Sequence, residues 1–194
     1  MRKLFMLACA LCFCFTLSAQ TNVGIKAGVN FANASIGTGG VSLSFSADVK
    51  FMGGLVFENN LSNNFFLHWE ALYIQKGFGG LFGADITFDY AEIPVLAKWK
   101  FGAQPTKFYV MGGPSIGYAL SGSTNLSGDR EPLDFDNEFN RLEASINVGG
   151  GVEFGSGFFI DARYAQGMTS LTRSGGSNAN IRNKGFNATL GFFF

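Results

Sequence analysis

Val23, Ile25, Ala27, Val29 and Phe31 alternate without a break with Gly24, Lys26, Gly28 and Asn30. Side chains of an extended chain point to opposite faces with period two, so this segment predicts a strand with one oily face and one small or polar face. The carboxy-terminal residues repeat the pattern: Phe186, Ala188, Leu190, Phe192 and Phe194 fall opposite Asn187, Thr189 and Gly191. Between these two, the same period predicts six more strands. Residues 50–59 set Phe51, Gly53, Leu55 and Phe57 against Met52, Gly54, Val56 and Glu58; residues 64–75 set Phe65, Leu67, Trp69, Ala71 and Tyr73 against Phe66, His68, Glu70, Leu72 and Ile74. Residues 107–120 place Phe108, Val110, Ile116, Tyr118 and Leu120 on the apolar face. The clearest alternation is Leu142, Ala144, Ile146, Val148, Val152 and Phe154 against Glu143, Ser145, Asn147, Gly149, Gly151 and Glu153, followed by Phe158, Ile160, Ala162 and Tyr164 against Phe159, Asp161, Arg163 and Ala165.

One segment changes phase. Ile86, Phe88 and Tyr90 are apolar at even positions, whereas Ile93, Val95, Ala97, Trp99 and Phe101 are apolar at odd ones, which predicts a β-bulge near Ala91 and Glu92. Pro94, just beyond it, and Pro114 in the next strand each remove one ladder hydrogen bond.

The links between these eight strands alternate in length. Residues 32–49, 76–85, 121–140 and 169–183 form long links; 60–63, 102–106 and 155–157 form short ones. A lipid bilayer demands that every backbone polar group be paired internally, so strands can cross it only as a closed barrel. Barrels of the bacterial outer membrane have an even strand number, short periplasmic turns and long external loops. The pattern therefore predicts an all-β, eight-stranded antiparallel up-and-down transmembrane barrel with both termini in the periplasm.

The amino terminus agrees with that compartment. Arg2 and Lys3 precede an apolar run from Leu4 to Leu17 and then Ser18, Ala19 and Gln20, the layout of a secretory signal peptide cleaved after Ala19. Residues 1–19 are thus expected to be removed and 20–194 to form one barrel domain. All three cysteines, Cys9, Cys12 and Cys14, lie in the leader, so no disulfide or thiolate metal site is expected in the barrel. Without Arg2 and Lys3 the chain keeps two fewer basic residues than its 14 acidic ones, with no basic stripe to suit nucleic acid.

On the inward faces the pattern collects Lys26, Glu58, His68, Glu70, Glu92, Lys98, Lys100, Glu143, Glu153, Asp161 and Arg163. Eight strands enclose an interior just wide enough for side chains to fill, so these charges are expected to pair into a structural plug, with a narrow ion path as the alternative. On the outer face Trp69, Tyr73, Trp99, Phe101, Phe108, Tyr118, Phe154, Phe158 and Tyr164 fall towards strand ends, where aromatic girdles mark membrane interfaces. His68 is the sole histidine, which rules out a histidine metal cluster; as a catalytic base it has only Glu70 for a neighbour in sequence, and no nucleophile motif accompanies it. Asp129, Glu131, Asp134, Asp136 and Glu138 make the third long link acidic, but the order of a calcium-binding loop is absent. No cofactor is expected. The functional classes that remain are a non-enzymatic envelope protein whose loops engage a surface ligand or envelope partner, and a small lipid-modifying enzyme using His68. A soluble carrier barrel would need an apolar lumen, against Lys26, Glu143, Glu153 and Arg163.

Tyr90 to Phe101, Y-A-E-I-P-V-L-A-K-W-K-F, resembles the Y-x-E-I-P-L-L-x-K signature of the PorT-type outer-membrane β-barrel family common in Bacteroidetes. Gly112 to Tyr118, G-G-P-S-I-G-Y, is similar to the following strand of that family, and Phe139 to Leu171 to its last loop and strands six and seven. Leu142-Glu143 departs from the aspartate the family usually places there. The resemblance implies an eight-stranded barrel of the OmpA/OmpX kind, no enzymatic activity, and a terminal Phe194 read by the barrel-assembly machinery. Some members take part in secretion and gliding.

Overall fold

A computed structural model of the chain describes residues 21–38, 41–44, 48–81, 84–126, 129–132, 140–170 and 180–194. The expected leader, 1–19, lies outside them. Among the described residues ten strands form: β1 (Thr21–Thr38), β2 (Val41–Ser44), β3 (Asp48–Ser62), β4 (Phe65–Leu81), β5 (Ala84–Phe101), β6 (Thr106–Leu126), β7 (Asp129–Pro132), β8 (Leu142–Phe154), β9 (Phe158–Gly167) and β10 (Asn180–Phe193). Eight of them run antiparallel in the order β10-β9-β8-β6-β5-β4-β3-β1, and β10 pairs with β1 to close the ring. The closing seam runs in register from Gly24 opposite Phe193 to Gly37 opposite Asn180. Closure leaves no open edge along the wall. The short strands β2 and β7 fold back only onto β1 and β6, as hairpins at the end where the longer links leave the barrel. That end is called the loop side; the other, with the short turns, is the turn side.

The turns fit their residues. Gly102 and Gly157 take positive φ values of 102° and 89°, which an L side chain rarely adopts. These two positions let the chain reverse between β5 and β6 and between β8 and β9.

Outward positions form an apolar wall. Ile25, Phe51, Leu55, Ile93, Val95, Val110, Ile116, Val148, Ile160 and Leu190 are all exposed. A water-soluble core fold hides such side chains, so the wall must face an apolar medium. Towards the loop side the outward positions turn polar together, at Gln75, Asp89, Ser121, Gln166 and Lys184. Tyrosines sit one step inside this boundary: Tyr73 donates its hydroxyl to Asp89 at 2.7 Å and Tyr164 to Gln166 at 2.9 Å. At the turn side the wall ends in rings, with Phe57 stacked on Trp69 at 4.0 Å and Phe101 on Phe108 at 6.1 Å. An apolar ring with a polar tip suits the border between hydrocarbon and water.

Two expectations are corrected. The link at 76–85 is not a long loop: β4 continues to Leu81 and β5 starts at Ala84, paired from Lys76 opposite Phe88 to Phe78 opposite Ile86 and, after an irregularity, at Leu81 opposite Ala84. No phase change occurs at Ala91 and Glu92; Phe88 and Tyr90 are buried on the same inward face as Glu92. The bulge lies instead on β6, where Asp89 pairs with Ser121 and Tyr90 with Ala119, leaving Leu120 extra. Two consecutive outward side chains, Leu120 and Ser121, result. Pro94 and Pro114 interrupt the ladders of β4–β5 and β5–β6, as expected of residues without an N–H, and the register is unchanged on either side.

Candidate functional site

The lumen holds the chemistry. Its polar side chains descend from alternate positions of the eight barrel strands, because the opposite positions are taken by the apolar wall. Three tiers are distinguishable along the axis.

At the turn side, Glu58 of β3 receives Lys98 at 2.7 Å and also Lys100, both from β5. The same lysines reach Glu153 of β8 at 3.1 and 2.7 Å. Two carboxylates and two ammonium groups therefore balance. Aromatic rings close around them: Lys98 sits 3.9 Å over Tyr109, Lys100 lies 4.3 Å over Phe66, and Phe159 packs on Phe193 at 4.9 Å. A desolvated cation over a ring face gains attraction that water would otherwise screen.

In the middle tier, Glu70 of β4 takes both ends of the Arg163 guanidinium from β9, at 2.9 and 2.8 Å. Lys26 of β1 bridges Glu70 and Asp161, at 3.2 Å to each. This tier is also balanced. His68 connects the two, with Nε2 at 2.7 Å from Glu70 and Nδ1 at 3.6 Å from Glu58.

At the loop side, Lys76 of β4 lies between Glu92 of β5 at 2.6 Å and Glu143 of β8 at 2.7 Å. Asn183 of β10 donates to the other oxygen of Glu143 at 2.6 Å, and Ser145 donates to the first at 2.9 Å.

The structure thus brings together all eleven lumen residues expected from alternation, ten of them buried and Glu153 half-buried. Sequence reasoning missed Lys76, which it placed in a loop. The signal was present, since Lys76 continues the even-numbered inward series Phe66, His68, Glu70, Leu72, Ile74. Phe88 and Tyr90 were assigned to the wrong face on apolarity alone, although they continue the series of Glu92. Phe194 is exposed at the turn-side end. In the acidic link, Glu131 is exposed on β7, and Asp134, Asp136 and Glu138 lie outside the described residues.

Glycines make room for this filling. A side chain on Gly151 would meet the Tyr109 hydroxyl at 2.5 Å, and one on Gly117 would meet the Tyr90 ring at 3.2 Å.

The chemical consequence is obstruction. In the ring of eight strands β4 and β9 stand four places apart, as do β3 and β8, so Arg163–Glu70 and the Glu58–lysine–Glu153 bridge cross the full width of the lumen. Charges removed from bulk water and paired in this way are costly to separate.

Comparison with known proteins bears on the wall and the topology. A family model described as outer membrane protein beta-barrel domain matches residues 18–173. No curated protein matches the chain in sequence. Among solved structures, Neisserial surface protein A superposes with a TM-score of 0.50 at 17% identity, over 90% of this chain and 97% of that one. The outer membrane enzyme PagL superposes with a TM-score of 0.52 at 16% identity, over 87% of this chain and 98% of that one. At such identities the likeness concerns fold.

Proposed function

The chain belongs to the outer membrane protein beta-barrel domain family, and from that premise we propose that it is a non-enzymatic integral protein of the bacterial outer membrane whose barrel is a plugged anchor and whose loop-side segments bind a surface ligand or an envelope partner. Surface attachment, adhesion and envelope or secretion-associated roles all fall within this reading. The observation that carries it is the lumen crossed by ion pairs from opposite walls, which leaves the loop side as the surface open to a partner. Both termini then lie in the periplasm, surface lipid surrounds the apolar wall, and Phe194 serves as the signal to the assembly machinery. Kinship with the PorT-type barrels is part of the same proposal, supported by the Tyr90 to Phe101 motif.

PagL is an outer membrane enzyme of this fold, so the fold itself is compatible with catalysis. His68, the residue such a reading would use, is 2% exposed and faces two glutamates inside the lumen, away from the lipid wall. Its position supports a bonding role within the plug. His68→Ala is expected to leave the lipid profile of the host envelope unchanged; a changed acyl composition would favour the enzyme. To test the role of the loops, 39–47 and 127–139, which include β2 and β7, and 171–179 are replaced by glycine-serine linkers long enough to rejoin the strands, which trims away every loop side chain. Cells carrying the trimmed protein should keep a heat-modifiable barrel but lose attachment to protein- and glycan-coated surfaces, and attachment equal to the parent's would overturn the proposal.

A further inference from the structure

The third tier differs from the other two. Glu92 and Glu143 face the single ammonium of Lys76, so this tier carries a formal charge of −1 where the others are neutral. Charged groups on the neighbouring strands are directed elsewhere. Lys50 of β3 pairs with Asp48 at 2.6 Å, Arg163 of β9 with Glu70 and Asp161, and Arg141, just before β8, donates to the Ala119 carbonyl at 3.4 Å. Lys184 also borders the space beside this tier, but its side chain leaves β10 on the face opposite Asn183 and Asn187.

Beside the tier is a cavity of about 20 Å³, lined among others by Lys76, Glu92, Glu143, Asn183 and Asn187. It admits about one body of the size of a water molecule. Asn183 and Asn187 are each 4% exposed, and their Oδ1 atoms accept no hydrogen bond. For Asn183 the orientation is dictated by chemistry. Its Nδ2 donates to Glu143, and an ionised carboxylate can only accept, so the amide atom left over must be the oxygen. A buried space with surplus acceptors and surplus negative charge favours a positive occupant.

We propose that this cavity binds one alkali-metal cation, held by Asn183 Oδ1 together with the Glu143 and Glu92 carboxylates. A single positive charge neutralises the tier, whereas a divalent ion would leave it positive, and magnesium would bring water molecules that the cavity has no room for. The site also gives the loop-side mouth a means of responding to external salt that the two balanced tiers lack.

The test uses the refolded full-length barrel in detergent. Crystals soaked in rubidium chloride are expected to show an anomalous peak at ligating distance from Asn183 Oδ1. In solution, sodium or rubidium chloride should raise the thermal unfolding midpoint, and choline chloride at equal ionic strength should not. Glu92→Gln and Asn183→Leu, checked for folding by heat-modifiable migration, should each weaken the apparent cation affinity by about tenfold or more. Absence of the anomalous peak, equal stabilisation by choline, or preferential occupancy by calcium would overturn the proposal.

Discussion

Arg163 forks onto Glu70 across the full width of the barrel, Nη1 lying 2.9 Å from one carboxylate oxygen and Nη2 2.8 Å from the other. The pair joins β9 to β4, strands on opposite sides of the ring, so it ties together walls that share no backbone ladder. Lys26 and His68 converge on the same carboxylate. Glu70 is therefore the most heavily bonded anion of the lumen described here.

Removing that carboxylate leaves Lys26 and Arg163 to share Asp161 alone, with one buried positive charge uncompensated. Glu70→Leu should lower stability by about 3–5 kcal/mol, the cost of breaking a buried pair from one side. Urea unfolding followed by tryptophan fluorescence measures it. Arg163→Lys should cost less while losing the two-pronged geometry, and the double replacement Glu70→Leu with Arg163→Met should recover part of the loss. A Glu70→Leu protein as stable as the parent would show that the tier contributes nothing.

The apolar wall makes a depth-dependent prediction. Val95 lies midway along the outward series of β5, whereas Gln166 belongs to the polar boundary at the loop side. Val95→Arg should destabilise the barrel in bilayers by about 2–4 kcal/mol and Gln166→Arg by about 0–1 kcal/mol. Equal costs, measured by reversible folding into lipid vesicles, would contradict the placement of the membrane.

These two cases also mark what alternation could reveal. Strand number, the face of each lumen charge and closure of residues 186–194 against 23–31 follow from period two, because a one-residue slip would put Lys26 or Arg163 into lipid. Lys76, Phe88 and Tyr90 were harder to place. Near the loop side the outward positions become polar at Gln75 and Asp89 while Phe88 and Tyr90 point inward, so polarity inverts locally and imitates a loop followed by a bulge. The true bulge, at Leu120, was hidden since both phases there present apolar or small residues. Pairing partners of the charges could not be read at all, for they meet across the lumen rather than along a strand.

Tyr90 gives a test of that corrected face. The ring lies against Gly117, where an added Cβ would sit 3.2 Å from it. Gly117→Val should impair folding, and Tyr90→Ala in the same chain should relieve the defect, giving a coupling energy of about 0.5–3 kcal/mol in a double-mutant cycle. Were Tyr90 on the lipid wall, the two changes would simply add.

The seam between first and last strands is the point on which the closed barrel stands. Ala27 and Leu190 are in-register partners on the outer face of β1 and β10, and the three natural cysteines all lie in the expected leader. In native membranes, Ala27→Cys with Leu190→Cys should form an intramolecular disulfide under mild oxidation, whereas Ala27→Cys with Phe186→Cys, four residues out of register and about 13 Å further along the strand, should not. Failure of the first pair to cross-link, or equal cross-linking by the second, would contradict a barrel closed in this register.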